Sequence, residues 1–259
     1  MHRNSFFNLV EESFASCILM QVNDLVKSTG RTPFFIEVGA NDGTSSSKTY
    51  PFIAQHEWRG LSIEPVPQAY EKLRASFVSF QNVKTLNLAV SPEVGILPFY
   101  QVVDPDNPWQ TMLSSFDRSI ITKQTNLIPD IERHIQKIDV ASKPLSSVCS
   151  DNGVSDLDVL IIDAEGYDDK IVYTLEFDRY APLLINFEHK HLPVDRIRAV
   201  DRFLLSKGYQ RLILWADTAY LRGDLLKDES IQQCMRGLPN LIPAYDPEWG
   251  NGYWLDYWR

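Results

Sequence analysis

Glu37, Gly39, Asn41, Asp42 and Gly43 crowd into one short stretch, Glu37-Val38-Gly39-Ala40-Asn41-Asp42-Gly43, directly behind the apolar run Phe34-Phe35-Ile36. Glycines at both ends let the backbone turn sharply and bring a ligand close to it. A nicotinamide fingerprint requires G-x-G-x-x-G, with an acid about 20 residues further on for the ribose. Here Asn41 stands at the middle glycine position, so the fingerprint fails, while the acid is present at Glu64. A pyrophosphate favours bare N–H groups and no negative charge. An ammonium favours carboxylates and carbonyls, and Glu37 and Asp42 flank the turn. The expected ligand is therefore an adenosine cofactor with a zwitterionic methionine end, S-adenosylmethionine. Its methionine end would lie at Glu37 and the turn from Gly39 through Ala40, Asn41, Asp42 and Gly43, and its ribose at Glu64. The competing reading is an ordinary tight turn with a solvated Asp42.

A second group of acids follows the apolar run Val159-Leu160-Ile161-Ile162, as Asp163-Ala164-Glu165-Gly166. Carboxylates delivered to a strand end inside a cleft are costly unless paired or used. Either they work on a substrate, or Glu165 and Asp163 serve the positive N-terminus of the next helix. Ile185-Asn186-Phe187 delivers Glu188 and His189 in the same way. A histidine there suits proton removal near neutral pH, with Glu188 orienting the ring or binding a hydroxyl. Asp163, Glu165, Glu188 and His189 would also make an oxygen–nitrogen set for a divalent cation. Nothing in their spacing demands a metal, and none is expected. His191 reads as a surface histidine. Asn87 and Ala89, behind another strand, would border an adenine. Ser114-Ser115-Phe116 offers hydroxyls to cofactor or substrate, or belongs to a merely polar loop.

The elements that would position these groups alternate as strand and helix. Phe34–Val38, Arg59–Glu64, Val83–Val90, Leu157–Ile162, Leu183–Phe187 and Tyr209–Trp215 read as strands. Thr49–Glu57, Pro67–Phe77, Asp168–Leu175 and Val194–Lys207 read as helices between them. This is the rhythm of a doubly wound α/β domain, whose ligands sit outside the carboxyl ends of the strands. Residues 5–28 form an amphipathic helix, with the 1–30 segment packing on the sheet. Gly95–Val103 and Ile131–Val140 are extended, Pro144–Cys149 starts a short helix, and 228–237 form another. Residues 104–130 lack periodicity, and so long a loop in a compact domain is usually functional; this one is expected to serve the substrate. Trp249, Tyr253, Trp254, Tyr257 and Trp258 crowd the end, as packing or as an aromatic wall. No repeat or linker divides the chain, so residues 1–259 are expected to form one domain.

Composition narrows the class. The 259 residues are 44% hydrophobic and 23% charged, which suits a globular α/β protein with a core large enough to need no staples. A formal charge of −9 disfavours a polyanionic nucleic-acid partner. Cys17, Cys149 and Cys234 are odd in number and widely spaced. That argues against a disulfide framework or a zinc site and for a reducing cytoplasm. No run approaches the roughly 20 apolar residues of a membrane span.

Taken in order, the motifs resemble those of the FkbM-type methyltransferases. They are Phe35-Ile36-Glu37-Val38-Gly39-Ala40-Asn41-Asp42-Gly43, Ile63-Glu64-Pro65-Val66-Pro67, Asn87-Leu88-Ala89-Val90-Ser91, Ser114-Ser115-Phe116, Leu160-Ile161-Ile162-Asp163-Ala164-Glu165-Gly166-Tyr167 and Phe187-Glu188-His189. The Asp-x-Glu-Gly-Tyr block carries most of the specificity. The resemblance implies a class I methyltransferase Rossmann-like fold: a mostly parallel seven-stranded sheet with helices on both faces. It also implies methyl transfer to a hydroxyl oxygen of a sugar, glycan or secondary metabolite. Pro65, Ser115 and Asp163 then join Asn87 and Ala89 around the cofactor. Asp163, Glu165, Glu188 and His189 would face the acceptor. A cofactor-binding scaffold without activity and an NAD-dependent oxidoreductase are the alternatives.

Overall fold

A computed structural model of the chain describes residues 17–103, 110, 112–126, 128–213 and 217–236. Residues 5–16 of the expected first helix, the start of the 104–130 loop and the aromatic tail lie outside the described residues.

Seven strands form the main sheet in the order β3-β2-β1-β7-β8-β10-β9. They are β1 Phe34–Val38, β2 Arg59–Ile63, β3 Val83–Leu86, β7 Val159–Ile162, β8 Leu184–Glu188, β9 Tyr209–Ile213 and β10 Asp217–Arg222. The first five are parallel, while β10 runs antiparallel to both neighbours. This is the seven-stranded, mostly parallel sheet that the sequence resemblance implies.

Strand alternation splits the apolar residues between two faces. Ile36 and Val38 of β1, with Leu160 and Ile162 of β7, meet α4 Leu145–Asp151, α5 Asp168–Val172 and α6 Val194–Ser206. Phe35, Val159 and Ile161 point the other way, against α1 (residues 17–28), α2 Tyr50–His56 and α3 Pro67–Ser76. Ile18, Leu19, Val22 and Val26 of α1 are buried in that layer, so the described part of the first helix packs on the sheet.

Three differences from the sequence reading have local causes. The expected strand Val83–Val90 is two: β3 stays in the main sheet, and β4 Ala89–Val90 joins a small sheet with β5 Gly95–Val102 and β6 Ile135–Lys143. The break falls at Asn87, whose side-chain amide donates to the carbonyls of Glu64 (2.8 Å) and Pro65 (3.1 Å). Strand β10 has no counterpart in that reading. Finally, Cys17 is disulfide-bonded, whereas Cys149 is free and buried. The expectation of no disulfide is thereby corrected, and the cysteines no longer argue for a reducing compartment. Among the described residues, no helix is long and apolar enough to cross a membrane.

The carboxyl ends of β1 and β7 touch. Asp163 donates its backbone N–H to the Val38 carbonyl (2.9 Å), and Gly39 lies against the Asp163 backbone with φ +81°. A Cβ at position 39 would stand 1.8 Å from the Asp163 carbonyl oxygen. Gly39→Ala is expected to destabilise the protein by more than about 1 kcal/mol, through a disfavoured φ and a backbone clash. Urea denaturation checks this; an unchanged midpoint would show that the turn relaxes freely.

Candidate active site

The cleft opens where β1, β2 and β7 end. Gly39 and Asn41 of the turn, Glu64 and Pro65, Ala89 and Phe99, Met112, Ser114 and Phe116, and Asp163 with Glu165 are among its lining residues. The small sheet and the described part of the 104–130 segment therefore wall one side.

Glu64 follows β2 and is buried. Its carboxyl accepts backbone N–H bonds from Asn41 (2.9 Å) and Val66 (2.8 Å), one on each oxygen. Burial pushes its pKa up to about 7, against the pull of those two bonds, with Asp163 adding to the rise. Each oxygen retains acceptor capacity, and the group borders the cleft, as an adenosine ribose requires. Asn41 holds the left-handed conformation (φ 47°) that asparagine tolerates better than most residues.

The acids expected around an ammonium are turned elsewhere. Glu37 accepts from Thr49 Oγ1 (2.6 Å) and Ser47 Oγ (2.8 Å), tying β1 to the segment that starts α2. Burial raises its pKa, partly offset by those hydroxyls. Asp42 accepts from the backbone of Thr44 and Ser45 in a local turn. Burial pulls its pKa upward, but the Ser45 and Thr44 bonds outweigh it and the net shift is down. Gly43 is a packing position: a Cβ there would come within 2.6 Å of Leu73 and Phe77. Ala40 is buried in the helical layer, and the Asn87 amide is spent on the Glu64 and Pro65 carbonyls.

Across the cleft, Asp163, Ala164 and Glu165 form a strained loop. Glu165 holds φ 46°, uncommon for a non-glycine residue, and Gly166 follows at 89°. Asp168 fixes this loop, accepting from Ala164 N–H and Gly166 N–H at 3.1 Å each. Ser115 braces it from the other side by donating to the Glu165 carbonyl (2.8 Å). Ser115 is thus buried behind the wall, and its neighbour Ser114 lines the cleft. Burial raises Asp163 to about 6, with Glu165 and Asp217 adding to the rise and Lys48 and Lys190 opposing it.

Glu188, at the end of β8, joins this acidic wall. Burial and the neighbouring Asp163 and Glu165 raise its pKa strongly, although Lys190 pairs with one of its oxygens. His189 does not join. Its Nδ1 lies 3.0 Å from Thr218 Oγ1 on β10, and burial lowers its pKa to about 4. At neutral pH it is an uncharged, buried ring, and it is not among the residues that line the cleft. The chain turns at once, with Leu192 N–H donating to the His189 carbonyl, and His191 comes back to Glu165 (Nε2 to Oε2, 2.9 Å) and Glu188 (3.6 Å). The histidine read as a surface residue is the one at the acids. The Glu-x-x-His spacing of Glu188 and His191 was the available signal.

The comparisons agree with this architecture. The family described as "Methyltransferase FkbM domain" matches residues 37–211. The chain belongs to that family. No curated protein sequence matches it. Among solved structures it is similar to a methyltransferase FkbM from Methylobacillus flagellatus KT, at 12% identity and TM-score 0.46, over 73% of this chain and 43% of that one. The chain therefore spans less than half of that relative. It is also similar to the N-terminal domain of human METTL16 in complex with SAH, at 10% identity and TM-score 0.42, over 79% of this chain and 68% of that one.

Asp168 is the residue whose loss should disturb the wall most. Asp168→Ala leaves the half-buried N–H of Ala164 and the buried N–H of Gly166 without their acceptor, at a cost of about 1–3 kcal/mol for the buried one and less for the other. A drop of several degrees in the thermal midpoint is expected by calorimetry, and no drop would mean that the loop does not depend on this carboxyl.

Proposed function

We propose that this chain transfers a methyl group from S-adenosylmethionine to a hydroxyl oxygen of a small-molecule acceptor, a sugar, glycan or secondary metabolite. The observation that carries this reading is one cleft with Glu64 on its first wall and Asp163 and Glu165 on its second. Glu64 would take the ribose hydroxyls. Gly39 and Asn41 would border the methionine end through their backbone, and Pro65 and Ala89 would border the adenine. When bound, the cofactor supplies an electrophilic methyl on a sulfonium.

The protein's share is positioning and proton removal. Holding donor and acceptor in line supplies much of the rate. Asp163 would accept the hydroxyl proton, with Glu165 and Glu188 holding the acceptor. Residues 104–130 are read as the acceptor loop, supported by Met112, Ser114 and Phe116 on the cleft wall. Residues 1–259 are read as one methyltransferase domain, with the family match covering its middle. An inactive scaffold is disfavoured by the buried carboxylates of Glu165 and Glu188 beside the half-buried Asp163, whose burial is costly without use. The NAD reading is disfavoured by Asn41 in place of the middle glycine.

Calorimetric titration with S-adenosylhomocysteine and, separately, NAD tests the cofactor assignment. Binding of the first and not the second is expected. The ribose needs the ionised form of Glu64, so affinity should fall as the pH drops below about 7. Glu64→Gln should bind weakly and lose that pH dependence; a flat profile in the wild type would remove Glu64 from the ribose. A tritium-methyl transfer screen over sugars and metabolite alcohols tests the reaction. On the acceptor found, Asp163→Asn should lose about 10²–10⁴ in kcat while still binding S-adenosylhomocysteine. Normal turnover in that variant would contradict the role given to Asp163.

A further inference from the structure

His191 and its two acids do more than pair. Glu165 Oε2, Glu188 Oε2 and His191 Nε2 lie within 4.8 Å of one another. His191 Nε2 is 2.9 Å from the Glu165 oxygen and 3.6 Å from the Glu188 oxygen. Neighbouring ligands of a six-coordinate cation with bonds near 2.1 Å stand about 3 Å apart, so the spacing suits one ion between them.

An independent feature points the same way. None of these three atoms has a hydrogen-bond partner among the described residues, although all three are shut off from solvent. Glu188 is 5% exposed and Glu165 9%. Buried polar atoms are nearly always satisfied, and exceptions call for a cause. Here the three atoms stand within 4.8 Å of one another and make no hydrogen bond. Lys190 takes the other oxygen of Glu188, which leaves Oε2 for the ion. The surroundings are acidic: Asp163 and Asp168 both act electrostatically on Glu188, and Lys190 opposes them.

We propose that Glu165, Glu188 and His191 form a binding site for one divalent transition-metal cation, of which Mn²⁺ is the best-suited type. Two carboxylates alone would suit Mg²⁺ or Ca²⁺. The imidazole shifts the preference to a first-row metal that accepts both oxygen and nitrogen ligands. The site does not depend on the methyl-transfer reading. Its placement adds to that reading: Glu165 also lines the cleft, so the cation would border the acceptor. An acceptor with two adjacent oxygens, a vicinal diol or a hydroxy acid, would be favoured there; that last step rests on the proposed function.

The test uses the full chain, stripped with EDTA and dialysed, and Mn²⁺ as the probe. Titration followed by electron paramagnetic resonance should show one Mn²⁺ bound per chain, and the thermal midpoint should rise on addition. Pulsed measurements should reveal one nitrogen ligand. Glu188→Gln and His191→Gln should each weaken binding about tenfold or more, and the nitrogen coupling should vanish in the latter. Midpoints of both variants without metal establish that they fold. No binding by the wild type below millimolar Mn²⁺ would overturn the proposal, as would binding without a nitrogen ligand. Metal binding without any methyl transfer would leave this site standing and count against the proposed function alone.

Discussion

The constraint on which the site depends is the contact between the ends of β1 and β7. Gly39 lies so close to the Asp163 backbone that only a hydrogen fits where other residues carry a Cβ. That contact brings the turn after β1 under the Asp163–Glu165 loop and sets the floor of the cleft. Everything chemical is arranged from this floor: Glu64 one strand away on one side, Glu188 one strand away on the other. The parallel sheet provides the arrangement because all these strands end at the same edge.

The cost of the arrangement is burial of carboxylates. Glu37, Glu64, Asp168 and Glu188 are all nearly inaccessible, and burial raises the pKa of each. Their solutions differ. Glu37 accepts hydrogen bonds from the Ser47 and Thr49 hydroxyls and ties β1 to the segment before α2, and Asp168 holds two backbone N–H groups. Glu64 accepts two backbone bonds but keeps capacity toward the cleft. Among the described residues, Glu165, Glu188 and His191 present buried atoms to one another without hydrogen bonds. A protein that stabilises most of its buried acids with local donors and leaves one set open is distinguishing structural acids from working ones.

The strand–helix order, the glycine turn and the acid after β2 were legible in the sequence because buried parallel strands are continuous apolar runs that end abruptly in polar residues. Side-chain direction past those ends was not. Alternation predicts faces only inside a strand. Beyond β8 the backbone turns at His189, so His191 takes the place expected of His189. Likewise Ser114, not Ser115, reaches the cleft, because Ser115 pairs with Tyr100 of β5 in an isolated bridge. Position beside the turn marks Glu37 and Asp42 as ligands, whereas Ser47 and Thr49 donate to the first and Thr44 and Ser45 to the second. Those donors lie within about a dozen residues of the acids they bind, so the signal for local satisfaction is in the sequence.

The central claim is that one cleft holds the adenosine cofactor against Glu64 and turns its reactive end toward Asp163 and Glu165. A crystal structure of the chain with S-adenosylhomocysteine tests this most directly. The account predicts both ribose hydroxyls on the Glu64 carboxylate and the thioether sulfur on the side of Asp163 and Glu165. A ligand bound away from Glu64, or one whose sulfur points away from that acidic wall, would contradict it.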